Sequence, residues 1–221
     1  MSTFNEGAET NMHALSQNSY PGRGIILGTN GAGDKFVQVY WVMGRSDNSR
    51  NRRLVMSGVA GDEVRTEPID YRKVQDPSLI IYNAMRSIRG FHFVSNGSQT
   101  DDLLEEAGYY TSDGENHINP RVPFTGVLLK HTFEPDAPNF TPRISGMFYD
   151  RYGGGCHTAM LSKIYRDGPM AHPNRPPVHA FYDYSEMMLP GEGRCVHTYA
   201  GDGDPLPTFD RDPYPVLLPG G

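Results

Sequence analysis

Four arginines occur within ten residues, in the stretch GRSDNSRNRR. They are Arg45, Arg50, Arg52 and Arg53, and they follow the apolar run FVQVYWVM, so we expect them at a strand end or in a turn. Guanidinium groups bind phosphate through planar, paired N–H donors, and Ser46 adds a neutral donor. The stretch is typical of a site for a small anion. A solvated basic loop that pairs with surface carboxylates explains it about equally well.

This density of arginine contrasts with the acidity of the whole chain. There are 20 Lys+Arg against 26 Asp+Glu, which gives a formal net charge of -6. Proteins that bind nucleic acid generally need a broad basic surface, so we expect no nucleic-acid partner. One local basic pocket for a phosphorylated small molecule is compatible with this balance.

A second candidate is the segment SNGSQTD, from Ser95 to Asp101, which runs from a predicted strand into a predicted helix. Backbone N–H groups at such a junction bind anions and polar ligand groups. Gly97 permits a ligand to approach the backbone closely. Taken alone, an ordinary capped turn is the simpler interpretation.

A third candidate is the stretch FEPDAPNFTPRISG, which combines Glu134 and Asp136 with Thr141 and Arg143 among three prolines. A carboxylate beside guanidinium groups can act as an oriented acid–base group or as an ion-pair partner. A rigid surface loop is again the simpler interpretation.

Cys156 follows a glycine run and precedes His157, which raises the hypothesis of a thiol nucleophile. Adjacency in sequence does not make a catalytic pair, and a hairpin turn with Cys156 packed inward is favoured. Neither the two cysteines, Cys156 and Cys195, nor the eight histidines have the spacing of a metal site. We therefore expect no metal, and reduced thiols in a cytoplasmic protein.

The elements that must position these residues are mostly strands. Ten short segments alternate in polarity or are rich in β-branched and aromatic residues. They are GIILG, KFVQVYWVMG, RLVMSGV, LIIYNAM, FHFVSNG, FTGVLLKHTF, RISGMFYD, HTAMLSKIY, VHAFYDY and RCVHTYAG. The best helical window is SNGSQTDDLLEEAG, which Thr100 or Asp101 can cap and Gly108 can end. Two antiparallel sheets packed face to face, with helices outside, suit this pattern.

The length of 221 residues suits one domain. We divide the chain into an N-terminal arm over 1–19, a domain over 20–205, and a tail over 206–221. The arm is expected to be disordered or loosely packed, and the tail, rich in Pro and Gly, to extend over the surface. No apolar run approaches the ~20 residues that cross a bilayer, and the N-terminus lacks the pattern of a signal peptide. We expect no membrane association.

Five motifs in order resemble the single-function inosine monophosphate (IMP) cyclohydrolase family best known from archaea. They are YPGRGIILG, VYWVMGRSDNSRNRR, IIYNAM, VSNGSQTD and FEPDAPNFTPRISG, and they span roughly Tyr20 to Asp150. The resemblance implies an α+β fold similar to the N-terminal nucleophile hydrolases, with two stacked antiparallel sheets between helical layers (αββα). It implies ring closure of 5-formamidoimidazole-4-carboxamide ribotide (FAICAR) to IMP, with release of water and without a cofactor. It also implies a homo-oligomer.

The resemblance further implies roles for individual residues. Tyr82, in IIYNAM, would donate to the formyl oxygen, Arg45 would contact the oxyanion or carboxamide, and Glu134 would orient the amide or shuttle a proton. Substrate-binding residues would be Arg23, Ser46, Arg50, Asn96, Gly97, Ser98, Thr100, Asp101, Thr141 and Arg143.

Two other functions stay open at this point. A non-catalytic protein that binds purine nucleotides would keep the arginines and SNGSQTD but would need no acid–base group. An amidohydrolase on the related fold would need a nucleophile, for which Cys156 is the candidate.

Overall fold

The structure is a computed structural model that describes residues 3–59, 62–74, 76–112, 119–150, 157–166, 176–185 and 188–219. Its helices are α1 (Thr3–Gln17), α2 (Asp47–Arg50), α3 (Gln99–Ser112) and α4 (Arg121–Leu128), with 3-10 turns at Tyr71–Lys73 and Pro77–Leu79. Its strands are β1 (Arg23–Thr29), β2 (Phe36–Val42), β3 (Arg53–Ser57), β4 (Glu63–Glu67), β5 (Asn83–Ile88), β6 (Phe91–Ser95), β7 (Arg143–Asp150), β8 (His157–Tyr165), β9 (Val178–Asp183), β10 (Glu192–His197) and β11 (Tyr214–Leu217).

Within these ranges the strands form two antiparallel sheets. The smaller sheet has four strands in the order β11-β10-β1-β2, and the larger has seven in the order β3-β4-β5-β6-β7-β8-β9. The larger sheet therefore follows the chain order, with α3 and α4 inserted between β6 and β7. The smaller sheet brings the C-terminal strands β10 and β11 beside the N-terminal strands β1 and β2.

The two sheets pack face to face. A Cβ atom added to Gly146 on β7 would lie 3.2 Å from both methyl groups of Leu27 on β1, so the missing side chain lets the sheets approach closely. The buried cluster between them draws side chains from both sheets. Its members are Ile25, Leu27, Tyr40, Tyr82, Ala84, Val94, Ile144, Phe148, Ala159, Leu161 and Val196.

Helices cover the outer face of each sheet. Leu103 of α3 and Phe124 of α4 pack with Phe93 and Met147 on the larger sheet. Leu15 of α1 packs against the smaller sheet, in a cluster with Ile26 and Val216. The layers thus run helix, sheet, sheet, helix, and the prediction of an α+β fold with two antiparallel sheets is confirmed. None of the helices in the described ranges combines the length and apolar character that a membrane crossing requires.

The prediction of a strand at FTGVLLKHTF was wrong, because a helix occupies the start of this segment. The segment FTGVLLKHTF begins inside α4, where Phe124, Val127 and Leu128 are buried against the larger sheet. These three positions have the i, i+3, i+4 spacing of a helix face. The flanking apolar Leu129 is 58% exposed, so an apolar run of this length does not by itself distinguish a strand from one face of a helix.

The two ends of the chain also differ from the expectation of a loose arm and a surface tail. Residues 3–17 form α1, and 214–217 form the edge strand β11, in which Val216 is fully buried. The Asn11 side chain of α1 donates to the carbonyl oxygen of Pro215 at 2.9 Å. Each segment gains its structure by docking on the other and on the sheet, and such stabilisation leaves little signal in local sequence.

Candidate functional site

A cavity of about 280 Å³ opens where the ends of β1 and β10 meet the loop before α2 and the loop before β7. Three guanidinium groups line it, from Arg23, Arg45 and Arg52. The remaining lining residues are Tyr20, Gly22, Met43, Ser46, Ser49, Asp136, Asn139, Thr141, Tyr199 and Leu206. Two of the three sequence candidates, the arginine stretch and the loop before β7, thus meet in one place.

A capping box shapes the arginine stretch. The Ser46 hydroxyl accepts from the Ser49 backbone N–H at 3.1 Å, and the Ser49 hydroxyl accepts from the Ser46 backbone N–H at 2.9 Å. This reciprocal pair begins α2 and folds the stretch into a single tight turn. Arg52 then donates from Nε to the carbonyl oxygen of Ser49 at 2.7 Å. Arg45 and Arg52, seven residues apart in the chain, therefore face the same cavity.

A buried ion pair forms the inner wall. Arg23, the first residue of β1, donates from Nη1 to Glu134 Oε1 at 2.5 Å, and the two side chains are 9% and 4% exposed. Arginine stays charged in proteins, so Arg23 keeps its positive charge at the cavity wall, and the Glu134 carboxylate offsets that charge. Burial raises the pKa of Glu134, and the charge of Arg23 opposes that shift.

Two tyrosine hydroxyls meet close to Arg23. The hydroxyl oxygens of Tyr40 and Tyr82 lie 2.6 Å apart, and both side chains are buried in the core between the sheets. Burial raises the pKa of Tyr40 well above its ordinary value, and the neighbouring Tyr82 adds to the shift. Since one hydroxyl donates to the other, the pair keeps one O–H for a third group. Arg23 interacts electrostatically with both tyrosines.

Arg143 connects this wall to the segment SNGSQTD. It donates from Nη1 to Gln99 Oε1 at 2.9 Å. Burial lowers the pKa of Arg143, Glu134 opposes that shift, and the charge of Arg23 adds to it. A Cβ atom on Gly97 would lie 2.1 Å from Arg143 Nη1. Glycine at position 97 therefore makes room for the arginine side chain, a role that differs from the ligand approach expected from the sequence.

A sequence model of the family described as IMP cyclohydrolase-like protein matches residues 20–214. The chain belongs to this family. The match covers every residue that lines the cavity, and it extends past Asp150, where the motif resemblance ended. A comparison with curated proteins found no match.

In this member of the family, the predicted site residues fall into three groups. Arg23, Arg45, Ser46 and Thr141 line the cavity. Glu134, Arg143 and Tyr82 lie behind it, linked through the charge of Arg23. Others are not brought to the cavity by the structure; these are Arg50, Asn96, Gly97, Ser98, Thr100 and Asp101.

The third group has other contacts. Arg50 is exposed and donates from Nε to the carbonyl oxygen of Gly44 at 3.0 Å. Asn96 is fully buried and bridges β6 to β7, since its side chain accepts from the Ile144 backbone N–H at 2.9 Å. Thr100 donates to the carbonyl oxygen of Gly97, and Asp101 pairs with Arg86 at 3.0 Å. Asn96, Thr100 and Asp101 therefore hold the junction of α3 with the larger sheet, while the Ser98 side chain is exposed.

Sequence reasoning missed Arg52, Tyr20, Tyr40 and Tyr199 as site residues. Arg52 belonged to the arginine stretch, but nothing in its spacing distinguished it from Arg50. The three tyrosines carry no local signal, because only the pairing of β1 with β2 and β10 brings their segments together.

The thiol hypothesis concerns Cys156, which lies outside the described residues. Cys195 is described and is fully buried, in the cluster under α1. Burial raises the pKa of the Cys195 thiol to about 12, so this group is unsuited to act as a nucleophile at neutral pH.

The buried ion pair makes a prediction about stability. Arg23→Met should lower the free energy of unfolding by about 3–5 kcal/mol, because it leaves the Glu134 carboxylate buried without its partner. Replacing both groups, as Arg23→Met with Glu134→Leu, should cost less than the single change, since no charge is then stranded. Urea unfolding monitored by circular dichroism measures both values. Arg72→Ala, at an exposed arginine paired with Asp70, is the control and should change little. A double variant that is less stable than Arg23→Met would argue against this coupling.

Proposed function

We propose that this protein catalyses the ring closure of FAICAR to IMP with release of water, acting on a purine nucleotide as a homo-oligomer. The observation that carries the proposal is the convergence of Arg23, Arg45 and Arg52 on one cavity directly beside the buried Glu134. Family membership supports a role related to IMP cyclohydrolase. The helix, sheet, sheet, helix layering supports a relation to the fold of the N-terminal nucleophile hydrolases, which we include in the proposal.

The electrostatics of the cavity favour an anion. Glu134 neutralises Arg23, and Asp202 pairs with Arg45 at 2.9 Å. Arg52, half-buried, donates only to the carbonyl oxygens of Ser49 and Leu79 among the residues that the structure describes. Burial and the nearby charge of Arg23 lower the pKa of Arg52. A phosphate bound here would relieve that repulsion, so we assign Arg52 to the 5′-phosphate.

The proposed chemistry requires the carboxamide nitrogen to attack the formyl carbon. An amide nitrogen is a poor nucleophile, and holding the two groups in place can contribute up to about 7–11 kcal/mol in favourable intramolecular cases. The electron pair of the C=O bond moves onto the oxygen, which then needs hydrogen-bond donors. We assign this role to Arg23, which pairs with Glu134, and to the single free O–H of the Tyr40–Tyr82 pair, which interacts with Arg23. Glu134, with its pKa raised by burial, is suited to proton exchange closer to neutral pH.

A direct assay tests this function. Purified protein is incubated with FAICAR, and the loss of FAICAR and gain of IMP are followed against the uncatalysed rate. We expect turnover that survives thiol alkylation and the change Cys156→Ala. Binding of IMP in calorimetry without any turnover would favour a nucleotide-binding protein instead, and loss of turnover in Cys156→Ala would favour a thiol-dependent hydrolase.

The assignment of Arg52 predicts a binding defect. Arg52→Ala should raise KM roughly 10- to 150-fold, because losing a charge-assisted contact costs about 1.5–3 kcal/mol. The dissociation constant of IMP should rise by a similar factor in calorimetry. Arg72→Ala removes an exposed arginine that does not line the cavity and should leave both constants unchanged. If Arg52→Ala only lowered the melting temperature, Arg52 would be a structural residue.

The tyrosine pair predicts a defect in the chemical step. Tyr82→Phe keeps the ring and removes the hydroxyl, so kcat should fall about 100-fold or more while KM changes little. Tyr40→Phe breaks the same hydrogen bond but leaves the Tyr82 hydroxyl. It should therefore lower the melting temperature about as much as Tyr82→Phe does, and lower kcat much less. Steady-state kinetics and thermal unfolding of both variants give the comparison. Equal losses of kcat in the two would mean that the pair acts as one unit.

A further inference from the structure

A chain of three hydrogen-bonded side chains runs along one wall of the cavity, and the functions assigned above do not use it. The hydroxyl oxygens of Tyr199 and Thr141 lie 2.5 Å apart. The Thr141 hydroxyl is also bonded to the Asp136 carboxylate, and the Thr141 backbone N–H donates to the same carboxylate at 2.7 Å. All three residues line the cavity.

The chemistry of the three groups fixes the direction of the chain. A carboxylate only accepts hydrogen bonds, so the Thr141 hydroxyl donates to Asp136. The Thr141 oxygen is then the acceptor for the Tyr199 O–H. The Tyr199 oxygen keeps its lone pairs for a donor in the cavity. Each O–H therefore points from the cavity towards Asp136, which is the direction in which a proton leaves a bound ligand.

The protein holds the Tyr199 hydroxyl in place from several sides. Its ring stacks on Tyr20, with centroids 5.8 Å apart and an interplanar angle of 23°. Gly22 has a φ of 72°, and a Cβ atom there would lie 2.5 Å from the Tyr199 ring. The Glu134 backbone N–H donates to the Thr141 carbonyl oxygen at 2.9 Å. The chain and the Arg23–Glu134 pair thus share one rigid frame.

Asp136 and Glu134 are placed in different surroundings although they are two residues apart. Glu134 is bonded to a guanidinium group, whereas Asp136 has no Lys, Arg or His within ion-pair distance in the described part of the chain. The donors on Asp136 are neutral, the Thr141 hydroxyl and backbone N–H, so Asp136 ends the chain as a hydrogen-bond acceptor. Burial raises the pKa of Tyr199, so its hydroxyl keeps a proton and can pass one on only while it receives another.

Resting on the proposed ring closure, we propose that Tyr199, Thr141 and Asp136 form a proton relay between the attacking nitrogen and the departing oxygen. Tyr199 is the catalytic residue that contacts the substrate, and Thr141 and Asp136 are positioning residues that carry the proton onward.

The protons and electrons of the proposed relay balance. As the C–N bond forms, the C=O π electrons move to oxygen. The carboxamide nitrogen gives a proton to Tyr199, Tyr199 gives its own to Thr141, and Thr141 gives its own to Asp136. The relay then runs backwards and protonates the oxygen to a hydroxyl group. The C–O bond breaks with its electron pair as a second proton, from the formamide nitrogen, reaches the oxygen, and a C=N bond forms as water leaves. The protein ends in its starting state.

Two substitutions test the relay. Tyr199→Phe removes only the hydroxyl and should lower kcat about 100-fold or more, as expected for the loss of acid–base catalysis, with KM and the affinity for IMP little changed. Asp136→Asn keeps the shape, but its amide donates to the Thr141 oxygen and reverses the chain. It should lower kcat to a similar extent. Because the two residues act as a unit, the double variant should be little worse than either single variant.

A solvent isotope effect separates a relay from a structural role. The wild-type kcat should fall in D₂O with a curved dependence on the deuterium fraction, because several protons move together, and Tyr199→Phe should lose that curvature. Tyr214→Phe is the matched control. It removes the hydroxyl of a tyrosine that contacts Cys195 at 3.3 Å, away from the cavity, and should keep the wild-type kcat and curvature.

The outcomes that overturn the relay are distinct from those that overturn the proposed function. Absence of FAICAR turnover by the wild type would reject ring closure and the relay with it. Wild-type turnover with a normal kcat in Tyr199→Phe, or with a defect confined to KM, would reject the relay alone. If Tyr199→Phe failed to fold, Asp136→Asn would decide on the same measurements.

Discussion

The buried ion pair of Arg23 and Glu134 joins the two sheets at the place where the cavity opens. Arg23 begins β1 in the smaller sheet, and Glu134 lies in the loop that leads into β7 of the larger one. Removing two charges from water is costly, and the cost is offset only when geometry and further hydrogen bonds are good. The site around the pair must therefore keep its arrangement, and the loop that carries Glu134 also carries Asp136 and Thr141 in fixed positions.

The cavity lies where β1 starts and β10 finishes, at the edge of the core between the two sheets. Four strands cover the inner face of seven, so the core between the sheets is closed by side chains such as Phe148 and Leu161 in its middle. At the end where β1 starts and β10 finishes, polar groups replace apolar ones. Tyr40 and Tyr82 mark this transition, with their rings in the core and their hydroxyls bonded to each other near Arg23.

Three arginines in one cavity repel one another unless each has a partner. Carboxylates supply partners for two, from Glu134 within the core and from Asp202 at the surface. Among the described residues, the third arginine, Arg52, donates only to backbone carbonyl oxygens. In the proposed site, an arrangement that neutralises all but one guanidinium group would favour a single anionic group over a polyanion. The net acidity of the whole chain has the same consequence at longer range.

The sequence by itself determined the class of the fold, and it predicted the chemistry of the candidate site. Alternating segments predicted nine of the strands, because a half-buried strand must place its apolar residues at every second position. The arginine density and the loop from Phe133 to Gly146 predicted an anion site next to carboxylates, since residue type alone decides which groups can bind phosphate or carry a proton. The motifs also indicated the family to which the chain belongs.

Only the tertiary structure decided which of these residues meet. The meeting of Arg52 with Arg23 in one cavity depends on contacts between distant segments. So does the distinction between Glu134, which pairs with Arg23, and Asp136, which has no ion-pair partner among the described residues. The same holds for Tyr199, which β10 brings beside the start of β1 across more than half the chain. The helix α1 and the strand β11 likewise form by docking on each other. A local pattern reports the periodicity of its own segment, whereas these contacts join residues far apart in sequence, and their energies exist only after the chain has folded.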